Sequence, residues 1–191
     1  MNFITFSPST DFATFVEHWS QLYDPNSNWE ANYYKHIKFG KPFTHNDIIE
    51  LFEWQSQAGL GKIRMTAIKD KIYPHLDYIN DMKFEENLDL VVFNEKFNEV
   101  AAVSRTLILH MIKPEFYPIF DQNVHVAYNF IHGIEMGPND YPIKAEPRLK
   151  FYFRHFVPFI TKVKGDISMK KIDEALDTFG QLIKRNPKLK I

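Results

Sequence analysis

Apolar side chains recur every three or four residues along most of this 191-residue chain, and no two-residue hairpin signal interrupts them. That period commits the chain to α-helices, each with one apolar stripe to bury against another. Phe12, Phe15, Val16, Trp19 and Leu22 make the first stripe, on a helix from about Asp11 to Tyr23 that Ser9 or Thr10 would cap. Thr44 with Asp47 three residues on reads as a variant capping box, and Ile48, Leu51, Phe52 and Trp54 would point inward from the helix it starts. The expected fold is therefore all-α, a multi-helix bundle.

Punctuation fixes the remaining helices. Gly59-Leu60-Gly61 separates two of them, with a restart near Ile63, and Pro74 interrupts the next. Leu88 to Phe93 is apolar and reads as a short helix. Asn94 is the expected cap of a long helix that buries Phe97, Val100, Ala101, Leu107, Ile108 and Met111 before Lys113-Pro114 ends it. Gln122 to His132 forms another helix, stopped by Gly133, and Pro147 to about Lys164 a further one kinked at Pro158. Ser168 caps a last helix through Arg185. One compact domain over 1–191 is the simpler organisation; a division near Lys83 into lobes of 1–83 and 84–191 is the alternative.

Composition narrows the class. With 45% hydrophobic residues the chain can bury about two-thirds of its unfolded surface without disulfides. Zero cysteines exclude thiolate nucleophiles and thiolate metal sites. No run of apolar residues is long enough for a membrane helix, and Met1 to Phe12 lacks a secretion signal, so the expected location is cytoplasmic and no membrane partner is expected. The net charge of -1 argues against indiscriminate binding of polyanions, yet it hides an asymmetry. Residues 141–191 balance to +7 and residues 1–140 to -8. The basic end offers a phosphate-binding face, or simply the solvated lysines of helix surfaces and tail: Lys164, Lys170, Lys171, Lys184, Arg185, Lys188 and Lys190.

The segment richest in chemistry runs from Glu99 to Gly133. Pro118-Ile119-Phe120 delivers Asp121 to a helix start, with His125 one turn later on the same face. A carboxylate there feels the helix dipole and can stabilise a cation or activate water. It also fits an ordinary N-cap that accepts from the N–H of Asn123 or Val124.

Helix, proline-containing turn, then Pro118-x-x-Asp121-x-x-Val124 resembles the segment that carries the essential aspartate in helix-hairpin-helix DNA glycosylases. The resemblance covers residues 99–133 and implies a two-lobed all-α fold. DNA would be the partner, and Asp121 would assist departure of a flipped-out base. The family's Gly-apolar-Gly turn has no counterpart in Val100-Ala101-Ala102-Val103-Ser104-Arg105-Thr106, and no lysine stands at Val103, Ser104 or Arg105 for Schiff-base chemistry. What the resemblance implies is therefore a monofunctional glycosylase, or a relative that kept the fold and lost the activity. Asp121 and His125 are the candidate catalytic residues, and Arg105, Arg148, Arg154 and Lys62 the candidate phosphate contacts. No cofactor is expected. The rival is a non-enzymatic nucleic-acid-binding or protein-interaction module in which Asp121 only caps its helix.

Other motifs say less. Gly59-Leu60-Gly61-Lys62 has the form of a phosphate-cradling turn but equally of a plain helix–helix connection, and it is not a Walker loop. Asp121 and His125 lack an evident third metal ligand, and His132 lies about 10 Å further along the axis from His125; no metal is expected. His110, on an apolar helix, reads as a satisfied core histidine. Tyr33, Tyr34, Phe151, Tyr152, Phe153 and Phe156 suit core packing or base stacking.

Overall fold

Asp11 opens the first helix. Its carboxylate accepts from the Thr14 N–H at 2.8 Å, so α1 (Phe12–Ser20) begins where an N-cap dictates. The computed structural model describes residues 11–24, 27–37, 41–135, 141 and 144–186, so Ser9 and Thr10 lie outside the described residues. All regular structure among these residues is helical, as the periodicity predicts. No helix among them is long and apolar enough to cross a membrane.

The chain divides into two units. One gathers Met1–Tyr23, Pro118–Ile143 and Lys150–Ile191; the other comprises Asp24–Tyr117 and Lys144–Leu149, and Lys83 lies inside it.

In the second unit, α2 (Ser27–Ile37) packs on α3 (His45–Ser56). Thr44 and Asp47 form the reciprocal capping box, at 3.2 Å and 2.8 Å, and Ile48, Leu51, Phe52 and Trp54 are buried. Then come α4 (Lys62–Lys71), a 3-10 turn at Tyr73–His75 where Pro74 interrupts, and α5 (Leu76–Phe84). Next, α6 (Leu90–Lys96) overlaps the expected short helix but runs past Asn94, and the long helix expected from Asn94 begins only at α7 (Ala102–Ile112). The cap of α6 is Asp89, which accepts from the N–H groups of Val91 and Val92, while the Asn94 side chain lies inside α6 and donates to the Leu90 carbonyl. The break between the helices is held by Arg105. Its guanidinium is buried and donates to the carbonyls of Val100, at 2.8 Å, and Asn98. Nearly all of α7 is buried. His110 is satisfied there, with Nε2 3.1 Å from the Tyr33 hydroxyl and Nδ1 2.8 Å from the Tyr117 carbonyl.

The first unit is built from α1, α8 (Gln122–Ile131), α10 (Val157–Val163) and α11 (Met169–Arg185). The boundary between the units falls inside α9 (Ala145–Phe151). A π turn, Tyr152–Phe156, joins α9 to α10, and in it the Val157 N–H bonds the Tyr152 carbonyl. Pro158 explains it: proline has no N–H for the carbonyl four residues back, and the register slips by one just before it. Phe120, Tyr152, Phe156 and Phe179 are fully buried, each contributing about 2–3 kcal/mol of hydrophobic stabilisation.

The tightest feature is where α8 meets α11. A Cβ on Gly180 would lie 2.0 Å from the Asn123 carbonyl oxygen, so only glycine allows the two backbones this close. Lys170 departs from the solvated reading: it is buried, 2.9 Å from Glu174 and 4.8 Å above the Tyr23 ring. Lys188 and Lys190 lie outside the described residues.

Candidate active site around Asp121

Phe120 positions Asp121. Its ring is enclosed by those of Phe151, Tyr152, Phe156 and His125, at 5.6, 5.8, 4.9 and 5.6 Å between centroids. The Tyr152 hydroxyl donates to the Pro118 carbonyl at 2.9 Å. The chain is thus pinned from Pro118 to Phe120 and turns into α8 at Asp121, whose backbone is extended, as an N-cap requires. Asp121 Oδ1 accepts from the Val124 N–H at 3.0 Å, and the side chain is half-buried.

The polar stripe of α11 completes the site. Asp173, Asp177, Gln181 and Lys184 follow at helical spacing along one side of that helix. Asn123 Nδ2 donates to Asp177 Oδ1 and Gln181 Nε2 to Asp177 Oδ2, each at 2.7 Å. Lys184 Nζ donates to Asn123 Oδ1 at 2.9 Å and Gln122 Oε1 at 3.2 Å. The first turn of α8 and the side chains of α11 therefore form one hydrogen-bonded network.

Two carboxyl groups beside this network, Asp121 and Asp173, are not ordinary. Burial, then the negative charge of Asp177, lifts the Asp121 pKa to about 6, against the opposing pull of the Val124 and Asn123 N–H groups and the Lys184 ammonium. Burial raises Asp173 well above the usual carboxylate range, with Asp177, Asp121 and Glu174 adding to the rise and Lys170 opposing it. Both groups are thus shifted upward by burial and by nearby negative charge, the kind of perturbation that marks a candidate functional site. Asp121 changes charge close to neutrality.

His125 sits elsewhere in the same unit's core. It is buried, edge-on to Phe151 at 4.8 Å and 5.4 Å from the Tyr141 ring, and its Nε2 accepts from Asn129 Nδ2 at 3.2 Å. Its link to Asp121 is through the backbone, His125 N–H to the Asp121 carbonyl at 3.1 Å. Arg154 is exposed in the first unit. Arg148 is buried, Arg105 is committed to the turn before α7, and Lys62 is exposed at the start of α4, all three in the second unit. The structure thus places near Asp121 three residues absent from the sequence reading, Asp173, Asp177 and Gln181, together with Lys184, which that reading put in the basic end. Their spacing on the last helix was visible in the sequence; their approach to Asp121 was not.

A second polar cluster lies in the other unit. His36 Nδ1 is 3.1 Å from Asp47 Oδ1 and its Nε2 meets Glu50 Oε2, which also takes Lys35 Nζ at 2.9 Å; Asn46 donates to Glu50 Oε1 at 2.7 Å. His36, Asp47 and Glu50 are the one trio among the described residues whose ligand atoms are close enough together for a metal ion. The two carboxylates engage opposite nitrogens of one ring, however, so they do not converge on a point beside either nitrogen. Lys35 already supplies positive charge to the Glu50 oxygen. This is the geometry of a histidine ring bridging two carboxylates and tying α2 to α3.

No family model, curated protein or solved structure matches the chain. The site itself has to carry the functional reading.

Proposed function

We propose that this protein hydrolyses N-glycosidic bonds in DNA, removing a damaged or modified base in the manner of a monofunctional helix-hairpin-helix glycosylase, with Asp121 as the catalytic carboxylate. The observation that carries this reading is the placement of Asp121: a half-buried helix N-cap whose pKa is held near 6 by burial and the neighbouring Asp177 carboxylate. Above that pH the ionised side chain stabilises positive charge on the sugar as the bond from C1′ to the base nitrogen breaks. The bond electrons leave with the base, and water adds at C1′, its proton passing by way of solvent to the departed base. Arg154, exposed in the same unit, is a cation available to a DNA phosphate.

A second reading is favoured by the 3.0 Å bond from the Val124 N–H to Asp121 Oδ1. In it Asp121 is a cap and the protein is a non-enzymatic nucleic-acid-binding or interaction module. The deciding experiment incubates the protein with duplexes carrying alkylated, deaminated and oxidised bases and measures abasic sites. Glycosylase activity predicts base release from at least one duplex, rising with pH through about 6 and lost in Asp121→Asn. Release from none of them, by a folded protein, rejects the enzymatic reading and leaves the module.

A further inference from the structure

We infer that the groove between α4 and the start of α7 docks an acidic amphipathic helix of a partner protein. The inference is independent of the Asp121 chemistry, because every residue lining the groove belongs to the other unit.

The groove has a volume of about 910 Å³ and is lined along α4 from Gly61 to Ile72, a length of roughly 16 Å or three helical turns. Ile68, Ile72, Val100 and Val103 form an aliphatic floor. At its mouth Ile63 is 90% exposed and Ala67 is exposed one turn later, so α4 shows apolar side chains to solvent along the same side. An apolar surface left open in this way fits the alternating anchors of a bound helix.

Charge selects the partner. Lys62, Arg64 and Lys71 line the groove against a single carboxylate, Glu99. Lys71 already shares that carboxylate at 3.6 Å. Among the described residues Arg64 has only neutral company: it donates to Gln55 Oε1 at 2.5 Å and lies 5.4 Å from the Phe52 ring centre. Its partial burial makes that missing counter-charge costly, and an incoming carboxylate would supply it. Both helices also begin here without a capping side chain, α4 after Gly61 and α7 after Ala101, which adds partial positive charge to the same groove. A nucleic acid fits less well. No aromatic ring among the described residues lines the groove, so bases would find no stacking platform there, and phosphates have no use for an aliphatic floor.

The test uses a fluorescein-labelled peptide of about 18 residues, with leucines at helical spacing on one face and glutamates on the other, titrated with the full chain and read by anisotropy. Comparators are the same peptide with lysine for glutamate, an oligoglutamate of equal charge, and a single-stranded oligonucleotide. The expected result is micromolar binding of the leucine–glutamate peptide alone. Ile63→Asp and Lys62→Glu, both at exposed positions and so sparing the fold, should each weaken it tenfold or more. Binding that survives both substitutions, absence of binding, equal binding of oligoglutamate or of the lysine peptide, or displacement by the oligonucleotide would each overturn the assignment.

Discussion

Replacing Asp121 by asparagine should make the protein more stable at neutral pH while removing the chemistry assigned to it. The carboxyl group is raised from 3.8 to about 6 in the folded chain. A carboxyl with a raised folded pKa binds protons more readily folded than unfolded, so its contribution to stability falls as pH rises from about 4 to about 6. Above that window the ionised side chain is a standing penalty. The full shift of about 2 units corresponds to about 3 kcal/mol; since the side chain is only half-buried, solvent screening leaves about 1–2 kcal/mol. Asparagine keeps an oxygen to accept from the Val124 N–H and ranks with aspartate as an N-cap, so the cap is retained while the charge goes. Thermal unfolding at about pH 7.5 should therefore shift upward by about 3–6 °C in Asp121→Asn, and the gain should vanish at about pH 3.5. A lower melting temperature at neutral pH, or a gain that does not depend on pH, would refute the argument that burial and Asp177 load this carboxyl.

Two other substitutions probe the scaffold. Gly180→Ala sets a methyl group against the Asn123 carbonyl, which backbone cannot vacate, and should destabilise by about 3 kcal/mol in denaturant unfolding, with near-normal stability pointing to a looser crossing of α8 and α11. In the second unit, burial pushes the Glu50 pKa up, but hydrogen bonds from Lys35, His36 and Asn46 outweigh it and hold the pKa at about 2 instead of 4.5. The resulting stability is present above about pH 4.5 and lost as pH falls toward 2; screened by solvent it amounts to about 1 kcal/mol, so Glu50→Gln should cost that much at neutral pH and nothing at about pH 2.

Local chemistry made much of this fold legible. The Thr44–Asp47 box, the proline at 74, Gly133 with φ 66° just after α8 and the cap at Ser168 all act within a few residues of themselves, and each sits where its sequence signal placed it. Asp121 was legible for the same reason. The division between α6 and α7 was not, because Asn98-Glu99-Val100-Ala101 carries neither glycine nor proline and its turn is held by the Arg105 side chain from the following helix. The rest of the site was hidden by distance along the chain. Asn123 and Asp177 bond across 54 positions, and nothing local in either segment announces the other. Gly180 was the available clue: a glycine inside the pattern of a long helix weakens it by about 1 kcal/mol and so points to a close backbone approach.

The most direct measurement is the titration of the Asp121 side-chain carboxyl carbon by NMR in the intact protein. The account predicts a midpoint near 6, moving toward the ordinary value in Asp177→Asn because the nearby negative charge is gone. A midpoint at or below about 4 would mean that the N–H groups of α8 dominate, that Asp121 is a cap and nothing more, and that the site lacks the proton chemistry on which the proposed hydrolysis depends.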